Sequence, residues 1–138
     1  EWIWIHMAIN SGVTSTAARS GNLDDPQQLA LDLMNNSSEL ALAIKTIREA
    51  LKVVEARGVD LKLYKSELLP YKIPICIASR AMKVMFAKNE LTRKIMTLHN
   101  DKQDILYCCE SVYQTGRKLG VNMPFMESNL AGIGTLIE

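Results

Sequence analysis

Apolar residues recur at helical spacing along most of the chain. The longest stripe comprises Leu33, Leu40, Ile44, Ile47, Leu51 and Val54. Residues three and four apart share one face of a helix, whereas no alternating run here is followed by an Asn-Gly or Asp-Gly hairpin turn. The pattern predicts an all-α helical bundle, with long helices near residues 2–18, 26–56, 74–88 and 101–119.

Helix start signals support two of these boundaries. Asp25 can cap a helix whose first position is Pro26, and Gln28 completes a capping box. Asn100 with Gln103 repeats this arrangement ahead of the last long helix. We therefore expect both helices to begin at these caps.

The segment 26–56 is too long for one straight helix. At ~1.5 Å per residue it would span about 46 Å, whereas a compact domain of this size is about 37 Å across. It must kink in the Asn-Asn-Ser-Ser run at 35–38, or overhang and meet a partner. On its outer side, Lys45 and Glu49 are predicted to form a solvent-facing pair.

The other helices carry apolar positions that predict their buried faces. The helix at 2–18 is apolar on nearly every face before Asn10, so it is expected to be buried on most sides. The helix after Pro74 is expected to turn four side chains inward: Ile77, Ala81, Val84 and Met85. Shorter helices are predicted near 66–69 and 90–98 and from Pro124, with a frayed end at 132–134.

Composition and charge exclude several classes of function. The 138 residues are 48% hydrophobic and 22% charged, which is typical of one globular domain. A net charge of +1 provides no general attraction to nucleic acid or to anionic membranes. No apolar run reaches the length of a membrane span. We therefore expect neither nucleic acid nor membrane among the partners.

The three cysteines favour a reduced, cytoplasmic protein. Cys76, Cys108 and Cys109 are an odd number and include an adjacent pair, unlike the disulfide framework of a secreted domain. Cys108 and Cys109 could form a strained vicinal disulfide, but two small apolar groups on the core side of a helix are the favoured interpretation.

The motifs of a self-sufficient enzyme are absent from the chain. No glycine-rich phosphate loop, nucleophile elbow or HExxH zinc motif occurs. His6 and His99 lie far apart, and neither has a second ligand at useful spacing, so no metal site is predicted. We expect the chain by itself to be catalytically inactive and to bind neither NADP nor NAD.

Three polar residues, on two helices, suggest a binding site. Trp2, His6 and Asn10 follow i, i+4, i+8 spacing and share a face of the first helix. In an otherwise apolar helix, His6 and Asn10 are either buried and internally hydrogen-bonded or exposed in a cleft. Asp104, in the first turn of the last long helix, either complements the helix dipole or faces the same cleft.

From these residues onward the sequence resembles a known family. Ile9-Asn10, with Gly21 eleven residues later and then Leu23, is similar to the opening of the C-terminal domain of ketopantoate reductases (2-dehydropantoate 2-reductases). That family reads Lys-x-x-x-Asn-x-x-x-Asn-Pro-Leu-Thr, then Asn-Gly-Glu-Leu. Asp104-Ile105 and the run from Arg117 to Pro124 resemble its Glu-Ile, helix, Gly-Ile-x-x-Pro ending, and residues 55–59 resemble its mid-domain helix end.

The resemblance implies a fold and an activity. The family's enzymes place an NADPH-binding Rossmann domain ahead of a helical domain similar to that of 6-phosphogluconate dehydrogenases. They reduce 2-dehydropantoate on the route to pantothenate. If the roles of the family's residues apply to this chain, Asn10 and Thr92 bind substrate. Asp104, in the place of a family Glu, then binds substrate and supports catalysis. The whole chain, 1–138, is then expected to be a C-terminal fragment without its Rossmann domain.

The sequence departs from the family at the catalytic lysine, whose place is taken by Trp2. An indole cannot supply the proton that the family's lysine gives to the substrate. His6 replaces the first family Asn and can act as an acid near neutral pH, so it is the candidate for a relocated proton transfer.

Two functions compatible with the resemblance are therefore expected. The first is the substrate-binding and dimerisation domain of an NADP-dependent oxidoreductase that acts on a 2-oxo acid as a homodimer. The alternative is a catalytically degenerate reductase domain that serves as a helical dimerisation or scaffold module. An unrelated helical adaptor that binds its partner helix in a groove is a third possibility.

Overall fold

The computed structural model describes residues 1–19, 24–91 and 102–133. Its helices are α1 (Trp2–Ala18), α2 (Pro26–Met34), α3 (Ser37–Ala56), α4 (Lys65–Leu68), α5 (Ile75–Lys88), α6 (Lys102–Lys118) and α7 (Pro124–Ile133). Two 3-10 turns, Leu61–Tyr64 and Leu69–Tyr71, flank α4. These described ranges contain no strand, and the all-α prediction is confirmed.

The predicted kink in the segment 26–56 is confirmed as a break between α2 and α3. Asn36 leaves the helical conformation, and its side-chain oxygen accepts hydrogen bonds from the backbone N–H groups of Ser38 (3.0 Å) and Glu39 (3.3 Å). An asparagine in this place stabilises the start of a helix because it satisfies orphan donors. The break lets α2 fold back against α1.

The cap at Asp25 is confirmed in part. Its carboxylate accepts the Gln28 N–H at 3.2 Å, but the Gln28 side chain donates forward to Asp32 at 2.8 Å instead of returning to the cap. The second predicted cap residue, Asn100, lies outside the described residues.

Helices α1 and α3 form an antiparallel pair at the centre of the fold. The Arg57 guanidinium lies 3.8 Å from the centroid of the Trp4 ring, and Arg19 forms a 2.9 Å ion pair with Glu39 at the other end. Between these contacts, a Cβ atom on Gly12 would lie 2.7 Å from the backbone nitrogen of Ile47. The stripe predicted for 33–54 is buried throughout, and its α3 members pack along this pair.

The predicted solvent-facing pair of Lys45 and Glu49 is wrong. Glu49 is only 5% exposed, and its carboxylate accepts the backbone N–H groups of Phe125 (3.0 Å) and Met126 (2.9 Å) in the first turn of α7. Lys45 lies over the Phe125 ring, 5.5 Å from its centroid. A carboxylate at a helix N-terminus is stabilised by the orphan donors and by the helix dipole. This face of α3 therefore holds α7.

A buried amide joins α7 to the central pair. The Asn129 side chain, 1% exposed, lies 3.1–3.2 Å from the hydroxyl oxygens of Ser15, Thr16 and Thr46. Thr16 and Thr46 donate their own hydroxyl protons back to helix carbonyls, so both oxygens accept from the amide. Buried polar groups that are satisfied in this way specify one arrangement of the helices around them.

Helix α5 packs on the outside of α3, and the prediction of its buried face is wrong. Ala78, Ser79 and Phe86 are buried, whereas Ile77, Val84 and Met85 are 57%, 50% and 44% exposed. The helix carries two apolar stripes, and hydrophobic periodicity alone does not distinguish which of them faces the core. The loop just before α5 is tied to α3, because Arg48 donates to the carbonyls of Tyr71 (2.6 Å) and Ile73 (2.5 Å).

The predictions of the shorter helices and of the frayed end are confirmed in part. Helix α4 lies where a helix near 66–69 was expected, and α7 begins at the expected Pro124. Gly132 and Ile133 are helical, so fraying is wrong for these two residues. Of the predicted helix 90–98, residues 92–98 lie outside the described ranges, as does Gly134.

We expect Gly12→Ala to lower the free energy of unfolding by about 2–3 kcal/mol, the upper part of the range for overpacking. The new methyl group would meet the backbone of Ile47, which moves only if α3 moves. Gly116→Ala is the matched control, because its nearest obstacles are side-chain atoms of Met123 and Val53 and methionine adapts readily. Urea unfolding measures both. Equal destabilisation by the two variants would contradict a backbone-limited contact at Gly12.

Candidate functional site

The first two turns of α1 present an exposed face. Trp2 and Ile3 are 55% and 65% exposed, and His6 and Asn10 are exposed as well. Burial of α1 on most sides is therefore wrong for its beginning, where only Ile5 and Ala8 lie fully in the core. The side of α1 opposite α3 lacks a covering element at this end among the described residues.

The rings of Trp2 and His6 are in contact, with centroids 3.9 Å apart and planes inclined by 47°. This contact confirms that residues four apart share the predicted face. The exposure of His6 and Asn10 excludes the interpretation in which both are buried and internally paired. Both polar side chains are accessible to a small molecule in solution.

Helix α6 packs beside this face through two cysteines. The Cys108 thiol donates to the Met7 carbonyl at 3.3 Å, and the Cys109 thiol donates to the Ser11 carbonyl at 3.7 Å. The Thr14 hydroxyl lies 3.4 Å from the Cys109 sulfur. Because Met7 and Ser11 flank His6 and Asn10 in the chain, α6 borders the exposed face of α1.

Asp104 lies in the first turn of α6 and is exposed. It precedes Cys108 by one helical turn, an axial rise of about 6 Å. The carboxylate therefore belongs to the end of α6 that approaches Met7, on the helix next to His6 and Asn10. Its place in the first turn also suits the helix dipole. The shared site of Asp104, His6 and Asn10 stays a prediction, and Thr92 lies outside the described residues.

The chemistry available at this face is hydrogen bonding and proton transfer. A histidine can donate or accept a proton near neutral pH, an asparagine amide both donates and accepts, and an ionised carboxylate accepts. Within the described ranges, His, Cys, Asp and Glu side chains form no group of three suited to a metal ion. No described helix is long and apolar enough to cross a membrane.

The thiols of Cys108 and Cys109, which join α6 to α1, are weak nucleophiles. All three cysteines are free. Burial raises the pKa of Cys108 to about 11 and that of Cys109 to about 12, and the Thr14 hydrogen bond offsets only part of the effect at Cys109. The thiolate is the nucleophilic form, so neither group is activated for catalysis. The favoured interpretation of Cys108 and Cys109 as structural groups agrees with these contacts.

Comparison with known proteins provides no assignment: no family model, curated protein or solved structure matches the chain.

Sequence reasoning missed a second accessible surface, on α5. Its outward residues were expected in the core because their spacing is that of a buried stripe. One signal could have identified the exposed stripe: Arg80 and Lys83 adjoin it, whereas the inward side of the helix has no charged residue.

We expect Cys76 to be the only thiol that reacts rapidly with a disulfide reagent such as Ellman's reagent at pH 8, because it is exposed. With a pKa of about 11, Cys108 is a thiolate in about one molecule in a thousand at that pH, and its rate should rise about tenfold per pH unit. Absorbance kinetics of the wild type and of Cys76→Ser measure this.

The Cys76→Ser variant should lack the fast phase, and all remaining thiols should react in urea. Fast reaction of Cys108 in the folded Cys76→Ser variant would contradict the described contact between α1 and α6.

Proposed function

We propose that this chain is the substrate-binding and dimerisation domain of an NADP-dependent, ketopantoate reductase-like oxidoreductase that acts on a 2-oxo acid. The observation that supports the proposal is the accessible pair His6 and Asn10 on α1, bordered by the helix that carries Asp104. The activity, the cofactor and the homodimer follow from the resemblance of the sequence to that family.

The side chains suit the groups of a 2-oxo acid. Its keto oxygen and carboxylate accept hydrogen bonds, which the Asn10 amide and the His6 ring can donate. An Asp104 carboxylate can accept a hydrogen bond from a hydroxyl group on the substrate. NADPH, held by a Rossmann domain, would supply the hydride chemistry of the proposed reduction. His6 would donate the proton that the reduced keto oxygen needs and would be reprotonated from solvent.

The alternative proposal is a catalytically degenerate domain that acts as a dimerisation or scaffold module. One observation favours it: the indole of Trp2, where the family has its lysine, contacts His6 and carries no proton for the reaction. The two proposals differ in turnover. A reductase consumes NADPH when a 2-oxo acid is present, whereas a scaffold does not.

In the full-length gene product, we expect Asn10→Ala and Asp104→Ala each to remove about 1–3 kcal/mol of substrate or transition-state stabilisation. Both positions are exposed, so folding should be unchanged. NADPH oxidation with 2-dehydropantoate and related 2-oxo acids measures kcat and KM. Glu110→Gln, an exposed acid farther along α6, is the matched control and should leave both parameters unaltered.

If the wild type is active and both variants have the same kcat and KM as the wild type, this face is not the substrate site. If the folded wild type turns over no 2-oxo acid with NADPH, the reductase proposal fails and the scaffold proposal stands.

A further inference from the structure

The outward side of α5 is a continuous apolar surface, which we call the α5 outer face: Ile77, Ala81, Val84 and Met85. All four residues are exposed. Their i, i+4, i+7, i+8 spacing places them in one stripe, opposite the stripe that packs on α3. A shallow, open depression of about 610 Å³ lies along the stripe, and Cys76 and Arg80 also line it.

This surface is unlike the scattered exposed apolar residues of an ordinary protein. Single exposed residues need no explanation, whereas a contiguous apolar patch rimmed by polar groups is typical of an interaction site. Helix α5 already has a complete inward face, with Ala78 and Phe86 in the core and Met82 packed against it. The outer stripe therefore lies on the other side of the helix, where Ile77, Val84 and Met85 are 57%, 50% and 44% exposed.

The charge on α5 has one sign. The helix carries three basic residues, Arg80, Lys83 and Lys88, all of them exposed, and no acidic residue. Exposed Lys72 adds a fourth positive charge just ahead of the helix. Arg48, from the underlying helix α3, is occupied by the carbonyls of Tyr71 and Ile73. Arg80 lines the depression, and the other three exposed basic residues lie on or just ahead of the same helix, so the charge near the apolar stripe is positive.

We propose that the α5 outer face binds an amphipathic helix of another protein whose apolar stripe is flanked by Asp or Glu. The apolar stripe packs against the i, i+3, i+4, i+7 positions of such a helix, and the basic residues pair with its acids and set its register. A second copy of this face would pack poorly on it, because the basic residues of both copies would meet. The net charge of +1 provides no general attraction to an anionic bilayer. This proposal stands independently of the proposed reductase function.

The test uses two designed peptides of about 18 residues, or about five helical turns. They share one leucine stripe and differ only in flanking residues, which are glutamate in one and lysine in the other. Fluorescence anisotropy with the complete chain should show that the glutamate peptide binds at least about tenfold more tightly than the lysine peptide, a difference of about 1.4 kcal/mol. Higher salt should weaken the preference.

Two kinds of variant locate the interaction. Val84→Glu should weaken binding of the glutamate peptide at least about tenfold, whereas Leu63→Glu, at a 74% exposed leucine outside α5, should leave it unchanged. The charge swap Arg80→Glu with Lys83→Glu should reverse the preference, so that the lysine peptide binds more tightly. Circular dichroism checks that each variant is folded.

Reversal by the charge swap would support both the site and the chemistry of the partner. Equal binding of the two peptides, or equal loss in the Val84→Glu and Leu63→Glu variants, would overturn the proposal. So would self-association of the wild type that Val84→Glu abolishes, since the occupant would then be a second copy. Binding to phosphatidylserine vesicles without binding to either peptide would assign the face to a membrane surface instead.

Discussion

At Gly12 the backbone of α1 comes so close to Ile47 of α3 that no side chain fits between them. Small residues on the same face, Ala8, Ser11 and Ser15, are fully buried, which keeps the two helices close along their length. The other helices pack around this pair. Helices α2, α6 and α7 all contact α1, and α5 rests on α3. A bulkier residue at Gly12 would separate the pair and disturb every element that packs on it.

Polar groups rather than apolar area determine how α7 joins this pair. Glu49 receives the first N–H groups of α7, and Asn129 connects the middle of that helix to hydroxyls on α1 and α3. Both side chains are almost fully buried. Apolar packing tolerates rotation and sliding, whereas a buried donor without its acceptor is costly, so these contacts select one position of the helix. These contacts hold α7 against α1 and α3.

The arrangement leaves two surfaces with different chemistry. The beginning of α1 presents polar groups beside exposed Trp2, which suits a small polar ligand. The outward side of α5 presents an apolar stripe with basic residues, which suits a partner helix. Cys108 and Cys109 join α6 to α1 beside the first surface, and Arg48 ties the loop ahead of the second surface to α3.

The sequence by itself determined the helical class, the bounds of α1 and the burial of the 33–54 stripe, because caps and periodicity are local signals. It left the segment 26–56 either kinked in the 35–38 run or overhanging to meet a partner. It also identified the shared face of Trp2 and His6. It did not determine that Glu49 is buried or that Val84 is exposed, since both depend on which neighbour covers a given side of a helix. A helix with two apolar stripes can bury either of them. A carboxylate four residues from a lysine can pair with it at the surface or be buried against another helix. Only the packing of α5 and α7 on α3 selected between them, because burial is a property of the assembled surfaces.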